Sequence, residues 1–198
     1  ASDVYKRQEL CVNLYYNGFL KHEYGYFPQC MSRYFFRNPD KLLEKIRGDD
    51  ALYFEFQWHY RLPSEAFFDI GQLLHWTDVM INASDSDADK VTLVGSILGK
   101  APDGDDGIFP IETVRKLLKI KKNEELTTAV ARGKINSLGL RDVEDGKKER
   151  EKSDIYKMQA RAMEIDYPQT SVILRILANF YERESKRDQI SSEIEPLQ

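Results

Sequence analysis

The sequence predicts an α+β fold, with a small antiparallel sheet near the N-terminus followed by a mainly helical part that ends in a long helical hairpin. Three observations predict it. Leu52, Phe54, Phe56, Trp58, Tyr60 and Leu62 alternate with Tyr53, Glu55, Gln57, His59 and Arg61, the period of a half-buried strand. Asn17-Gly18 tolerates positive φ and sits between two further alternating stretches, as the turn of a β-hairpin does. Near the other end, two apolar stripes with helical spacing meet at Tyr167-Pro168, where proline stops one helix and suits the first turn of the next.

The elements follow in order. Asp3 to Gln8 spells one translation of an adaptor DNA used in building sequencing libraries, so residues 1–8 are expected to be non-native read-through, with native sequence continuing upstream of Glu9. A three-residue turn, Asn17 to Phe19, pairs Leu14 with His22 and Val12 with Tyr24 and keeps one hairpin face largely apolar. A two-residue turn would set Lys21 and Glu23 on that face; the competing reading is an amphipathic helix through Leu10, Leu14 and Tyr15. Pro28 to Phe36 reads as a short helix. Asn38-Pro39-Asp40 opens another, which buries Leu42, Leu43 and Ile46 and closes at Gly48.

Pro63 ends the aromatic strand. Ser64-Glu65 opens a helix that runs through Phe67, Phe68, Ile70, Leu73 and Leu74 to near Asn82. A further helix carries Val91, Leu93, Val94 and Ile97 to Gly99. The loop from Ala101 to Gly107 is the expected boundary between an N-terminal α+β lobe, residues 9–101, and a C-terminal helical lobe, residues 108–195. Pro110 starts a helix with Val114, Leu117 and Leu118, and Asn123 caps one with Leu126, Ala129, Val130 and Ile135. In the hairpin, Ile155, Met158, Ala162 and Ile165 form the first stripe, and Val172, Ile173, Ile176, Leu177 and Phe180 the second. Two such stripes joined by a short turn are expected to pack antiparallel, each large side chain contributing roughly 1.5–3 kcal/mol before entropy is subtracted.

Composition narrows the function classes. The chain has 198 residues and a net charge of −4, so no global field draws it to nucleic acid or to an anionic membrane. No apolar run approaches the ~18 residues of a transmembrane helix, and no signal peptide is visible. Cys11 and Cys30, the only cysteines, fit a reducing compartment, and the cytoplasm is expected. The sequence contains no Walker motif, dinucleotide fingerprint, Gly-x-Ser-x-Gly or His-Glu-x-x-His.

The remaining candidates are few. Asp85, Asp87 and Asp89 have the spacing of an EF-hand's first ligands, but Lys90 stands where glycine is needed and Ser96 where glutamate is. Asp103, Asp105 and Asp106 read as an acidic turn. Cys11, His22, Cys30, His59 and His75 include no pair at zinc-site spacing, and His75 near Asp78 has no nucleophile beside it. No catalytic residue, metal or cofactor is therefore expected. Arg115, Lys116, Lys119 and Lys122, with Lys121 among them, form a basic helix end ahead of a second helix, as in a helix-turn-helix that sets cations on phosphates. Glu124 and Glu125 oppose that reading, and the same cations suit the C-terminal end of a helix dipole.

The expectation is a non-enzymatic interaction or accessory module, the C-terminal part of a longer microbial protein, acting with a protein partner or with an upstream domain of its own chain. The alternatives are a nucleic-acid-associated module using residues 115–122, and a portion of an enzyme whose catalytic residues lie upstream.

Overall fold

The computed structural model describes residues 29–47, 50–82, 87–138 and 146–194. Helices make up its regular structure. In chain order they are α1 (Gln29–Arg37), α2 (Pro39–Ile46), α3 (Asp50–His59), a 3₁₀ turn (Ser64–Phe67), α4 (Ile70–Asn82), α5 (Asp87–Leu98), α6 (Glu112–Lys121), α7 (Glu124–Asn136), α8 (Lys147–Met163) and α9 (Pro168–Ile194). No strand occurs among the described residues, so the predicted α+β fold is corrected to an all-α one. The predicted hairpin of residues 10–26 and the read-through of residues 1–8 lie outside the described residues.

The aromatic stretch shows why the strand expectation failed. Residues 50–59 are helix, and Phe56 and Tyr60 are buried while Phe54 and Trp58 face solvent. Tyr53, Phe56 and Tyr60 recur at three and four residues, a helical stripe concealed inside the strict alternation. Phe56 meets Phe35 of α1 edge to face, with ring centroids 5.4 Å apart. The Tyr60 hydroxyl donates to the Ser32 carbonyl at 3.0 Å, which satisfies the one polar atom of a fully buried ring.

Other local signals act as their chemistry dictates. Asn123 accepts a hydrogen bond from the Leu126 amide at 2.8 Å and caps α7. The helix expected to run unbroken from Ser64 is split at Phe68-Asp69. There the Asp69 carboxylate accepts from the amides of Gly71 and Gln72, at 2.9 and 3.1 Å, and starts α4 afresh.

One apolar core joins these helices, from Met31 and Phe35 through Trp76 and Leu98 to Ile173 and Leu177. Its tightest crossing is α5 on α7, helices from either side of the loop after Ala101. Gly95 on α5 and Gly99 just past its end face Ala129 and Gly133 on α7. A Cβ built on Gly99 would lie 2.5 Å from the Lys134 amide nitrogen. Absent side chains let the two backbones touch, where an ordinary helix pair stands 8–10 Å apart.

The hairpin joint at Tyr167-Pro168 stands where the proline signal places it, but the buried face of α8 is not the predicted one. Its seam is made of Gly146, Ser153 and Ala160, seven residues apart. They oppose Ser185, Ala178 and Ser171 of α9, also seven apart. Three hydroxyl-to-carbonyl bonds cross it: Ser153 to Ala178 at 2.9 Å, Ser171 to Ala160 at 2.8 Å and Ser185 to Gly146 at 2.8 Å. Small residues bring the helices near enough for each hydroxyl to reach a main-chain oxygen of its neighbour. Tyr156 and Tyr181 stack beside the seam, with centroids 5.7 Å apart and rings 18° from parallel. Among the described residues, no helix is long and apolar enough to cross a membrane.

Candidate functional site

Because α8 packs through small residues, its large apolar side chains are left on the opposite face. On α8, Ile155 is half exposed, Met158 is 64% exposed and Ala162 is exposed; Ile165, in the turn two residues past the helix end, is 91% exposed. Within the helix, Ile155, Met158 and Ala162 have the three- and four-residue spacing of a coiled-coil seam. On α9, Val172 is also exposed. It lies one turn before Arg175, whose guanidinium pairs with Glu164 at 2.8 Å. Single exposed apolar residues need no explanation, but a periodic stripe on one helix face is an interaction signal.

The charges flanking this stripe point the same way. Exposed Lys147, Lys148, Arg150 and Lys152, with Glu151 among them, crowd the N-terminal turns of α8, while exposed Glu164 and Asp166 mark the hairpin tip. A helix dipole favours the reverse order, anions first and cations last. Glu149 in the first turn and Arg161 in the last do follow the dipole, so only the excess of cations at the start of α8 runs against it. That excess suits a neighbour running antiparallel.

The residues singled out as a nucleic-acid candidate have other surroundings. Arg115 is only 3% exposed. It donates to both Asp106 carboxylate oxygens at 2.6 Å, to the Ile108 carbonyl and to the Pro110 carbonyl, and so holds the loop from Ala101 to Ile111 together. Gly104 makes room for it, since a Cβ there would lie 2.6 Å from the guanidinium. The Arg115 hydrogen bonds, helped by the Ile108 amide, pull the Asp106 carboxyl down to about 2. Lys116 pairs with Glu112 at 3.0 Å, and Lys119 lies over the Tyr167 ring at 5.4 Å. Lys122 is exposed at the left-handed C-cap of α6. The structure thus brings Arg115 and Lys116 onto acidic neighbours and leaves Lys119 and Lys122 outward.

Of the other candidates, Asp103 pairs with Lys134 at 3.3 Å, and Asp78 pairs with Lys121 rather than with His75. Cys30 is partly buried against the core. Among the described residues, no group of three or more His, Cys, Asp or Glu is placed to hold a metal ion. A shallow groove of about 420 Å³ lies between Phe68, Glu112, Met163 and Tyr167, and His75 does not line it. Sequence reasoning found the stripe on α8 but turned it inward; the seven-residue spacing of Gly146, Ser153 and Ala160 was the signal that would have turned it outward.

No protein-family model matches this chain, and neither does any curated protein or solved structure.

Proposed function

We propose that the protein is an interaction module that assembles through the outward face of α8, and that the partner is a second copy of the same chain in antiparallel orientation. The observation that carries the reading is the exposed Ile155, Met158 and Ala162 stripe of α8, followed by exposed Ile165 in the next turn, directly opposite a seam already satisfied by small residues. Antiparallel pairing about the middle of the stripe sets Met158 on Ala162 of the second copy and Ile155 on Ile165. Large meets small at the centre, as close packing requires. It also brings Lys152 of one copy within one turn of Asp166 of the other, with Asp154 directly across from that aspartate. Parallel pairing would set lysines on lysines and acids on acids.

The helical part of the stripe spans about two turns, short of a standard interface, so the expected dimer is weak, with Kd on the order of 10–100 μM. Sedimentation velocity across a concentration series tests it. The expected result is a mass that rises from monomer towards dimer with concentration, and that stays monomeric in Met158→Lys. A mass that is monomeric at every concentration up to the millimolar range overturns the reading.

The nucleic-acid reading, on residues 115–122, is less well supported: the Arg115 guanidinium is taken up by Asp106 and two carbonyls, and Lys116 is balanced by Glu112.

A further inference from the structure

The C-terminal ends of α3, α5 and α7 meet around a cleft of about 280 Å³, just below the usual size of small-molecule sites. Its chemistry is one-sided. Lys100 and Arg61 both line it, and among the described residues no carboxylate lines it or pairs with either cation. Lys100 Nζ donates to the Gln57 carbonyl and, at 3.3 Å, to that of Tyr60. Arg61 Nη1 donates to the Trp58 and Tyr60 carbonyls at 3.1 and 3.3 Å. These contacts cap the frayed end of α3, as cations at a helix C-terminus do.

Capping does not use up the donors. An ammonium has three N–H groups and a guanidinium five, so at least one on Lys100 and several on Arg61 remain. The rest of the wall adds neutral polar groups. The Gln57 amide donates to the Ser96 hydroxyl at 3.3 Å, which leaves the Ser96 O–H free to donate in its turn. Asn136 contributes an exposed amide, and the half-exposed Trp58 indole forms the apolar side. Burial, and then the charge of Arg61, press the Lys100 ammonium down to about 7. Two cations held together in a partly dry cleft, with no counter-ion among the described residues, are a destabilising arrangement that an anion relieves.

We infer that this cleft binds a small organic anion, its phosphate or carboxylate group on Lys100 and Arg61 and its planar part against Trp58. The site is separate from the face of α8 and does not depend on assembly.

Three probes test it by calorimetry on the full chain: inorganic phosphate, phenyl phosphate and benzoate. Tryptophan fluorescence gives a second readout, because Trp76, the other indole, is fully buried and reports little of the cleft. The expected result is saturable binding of phenyl phosphate or benzoate, tighter than of inorganic phosphate, with a change in Trp58 emission. Which of the two binds identifies the charged group. Affinity should fall about tenfold or more in Lys100→Gln and Arg61→Gln, where a charged hydrogen bond is lost. Lys100 and Arg61 both cap α3, so Asn136→Asp, at an exposed position on α7, carries the test if Lys100→Gln or Arg61→Gln unfolds. Lys116→Gln, on the far α6, should bind normally. Absence of saturable binding of all three probes to the folded protein overturns the inference. So does binding that Asn136→Asp, and Arg61→Gln where it folds, leave unchanged.

Discussion

Ala129 of α7 lies against the bare backbone of Gly95 on α5, so close that a Cβ placed on Gly95 would come within 2.2 Å of the Ala129 methyl. Neither backbone can yield locally, because Gly133 one turn on is also tight against Ser96, with 2.7 Å from its would-be Cβ to the Ser96 Cα. Gly95→Ala should therefore force the helices apart and cost about 1–3 kcal/mol, against the roughly 1 kcal/mol that an exposed helix would gain from the same change. Urea unfolding monitored by circular dichroism measures it. A more stable Gly95→Ala protein would show that the crossing is looser than described.

The hairpin seam responds to size more than to polarity. Ser153→Ala removes one cross-helix bond and should cost about 1 kcal/mol. Ser153→Leu fills a position that is 1% exposed and should cost more, because the seam has no room for it. Equal losses in the two variants, read by thermal melts, would contradict a seam set by small residues.

The Arg115–Asp106 ion pair braces the loop from Ala101 to Ile111, and its pH dependence has a definite sign. The Asp106 carboxyl is lowered to about 2 by Arg115, below the roughly 3.9 of an unfolded aspartate. The native state thus binds the proton less readily than the unfolded one. Its contribution is fully present above about pH 4 and is lost as pH falls through about 2. Asp106→Asn should remove that dependence and cost about 1–3 kcal/mol at neutral pH, since the partner guanidinium is buried. Acid titration followed by NMR of the Ile108 amide checks both, and an unaltered profile in Asp106→Asn would locate the acid sensitivity elsewhere.

Met158→Lys separates assembly from folding. The side chain is mostly exposed and makes no core contact, so the monomer's unfolding free energy should move by no more than about 0.5 kcal/mol. Loss of self-association with an intact melting curve is the expected pair of results. A large loss of stability would mean that the residue packs within its own chain.

Helix ends were the most legible part of the sequence. Pro168 at the hairpin joint and Asn123 at the α7 cap are local signals, and each acts through its own backbone geometry or side-chain oxygen. Which face of a helix is buried was not legible in the same way, because that depends on the partner. In α3, the aromatic alternation fits a strand and the spacing of Tyr53, Phe56 and Tyr60 fits a helix. Only the presence of Phe35 and Ser32 across the core decides between them. In α8, hydrophobicity marked Ile155 and Met158 as the inward face, yet Ser153 and Ala160 pack better against α9 because they are small and can bond to its carbonyls or accept its hydroxyls. The Lys100 and Arg61 cleft had no signature in sequence, since its residues come from three helix ends far apart in the chain.

The measurement that bears most directly on the proposed assembly is sedimentation equilibrium on a charge-exchange set at the two ends of the α8 stripe. Lys152→Glu alone should weaken self-association, because it sets like charges together in an antiparallel pair. Asp166→Lys added in the same chain should restore it, and the restoration separates pairing across copies from loss of the Lys152 contact 5.1 Å from the Tyr181 ring centroid. A double variant that associates no better than Lys152→Glu, or a parent chain that never leaves the monomer, would contradict assembly through this face.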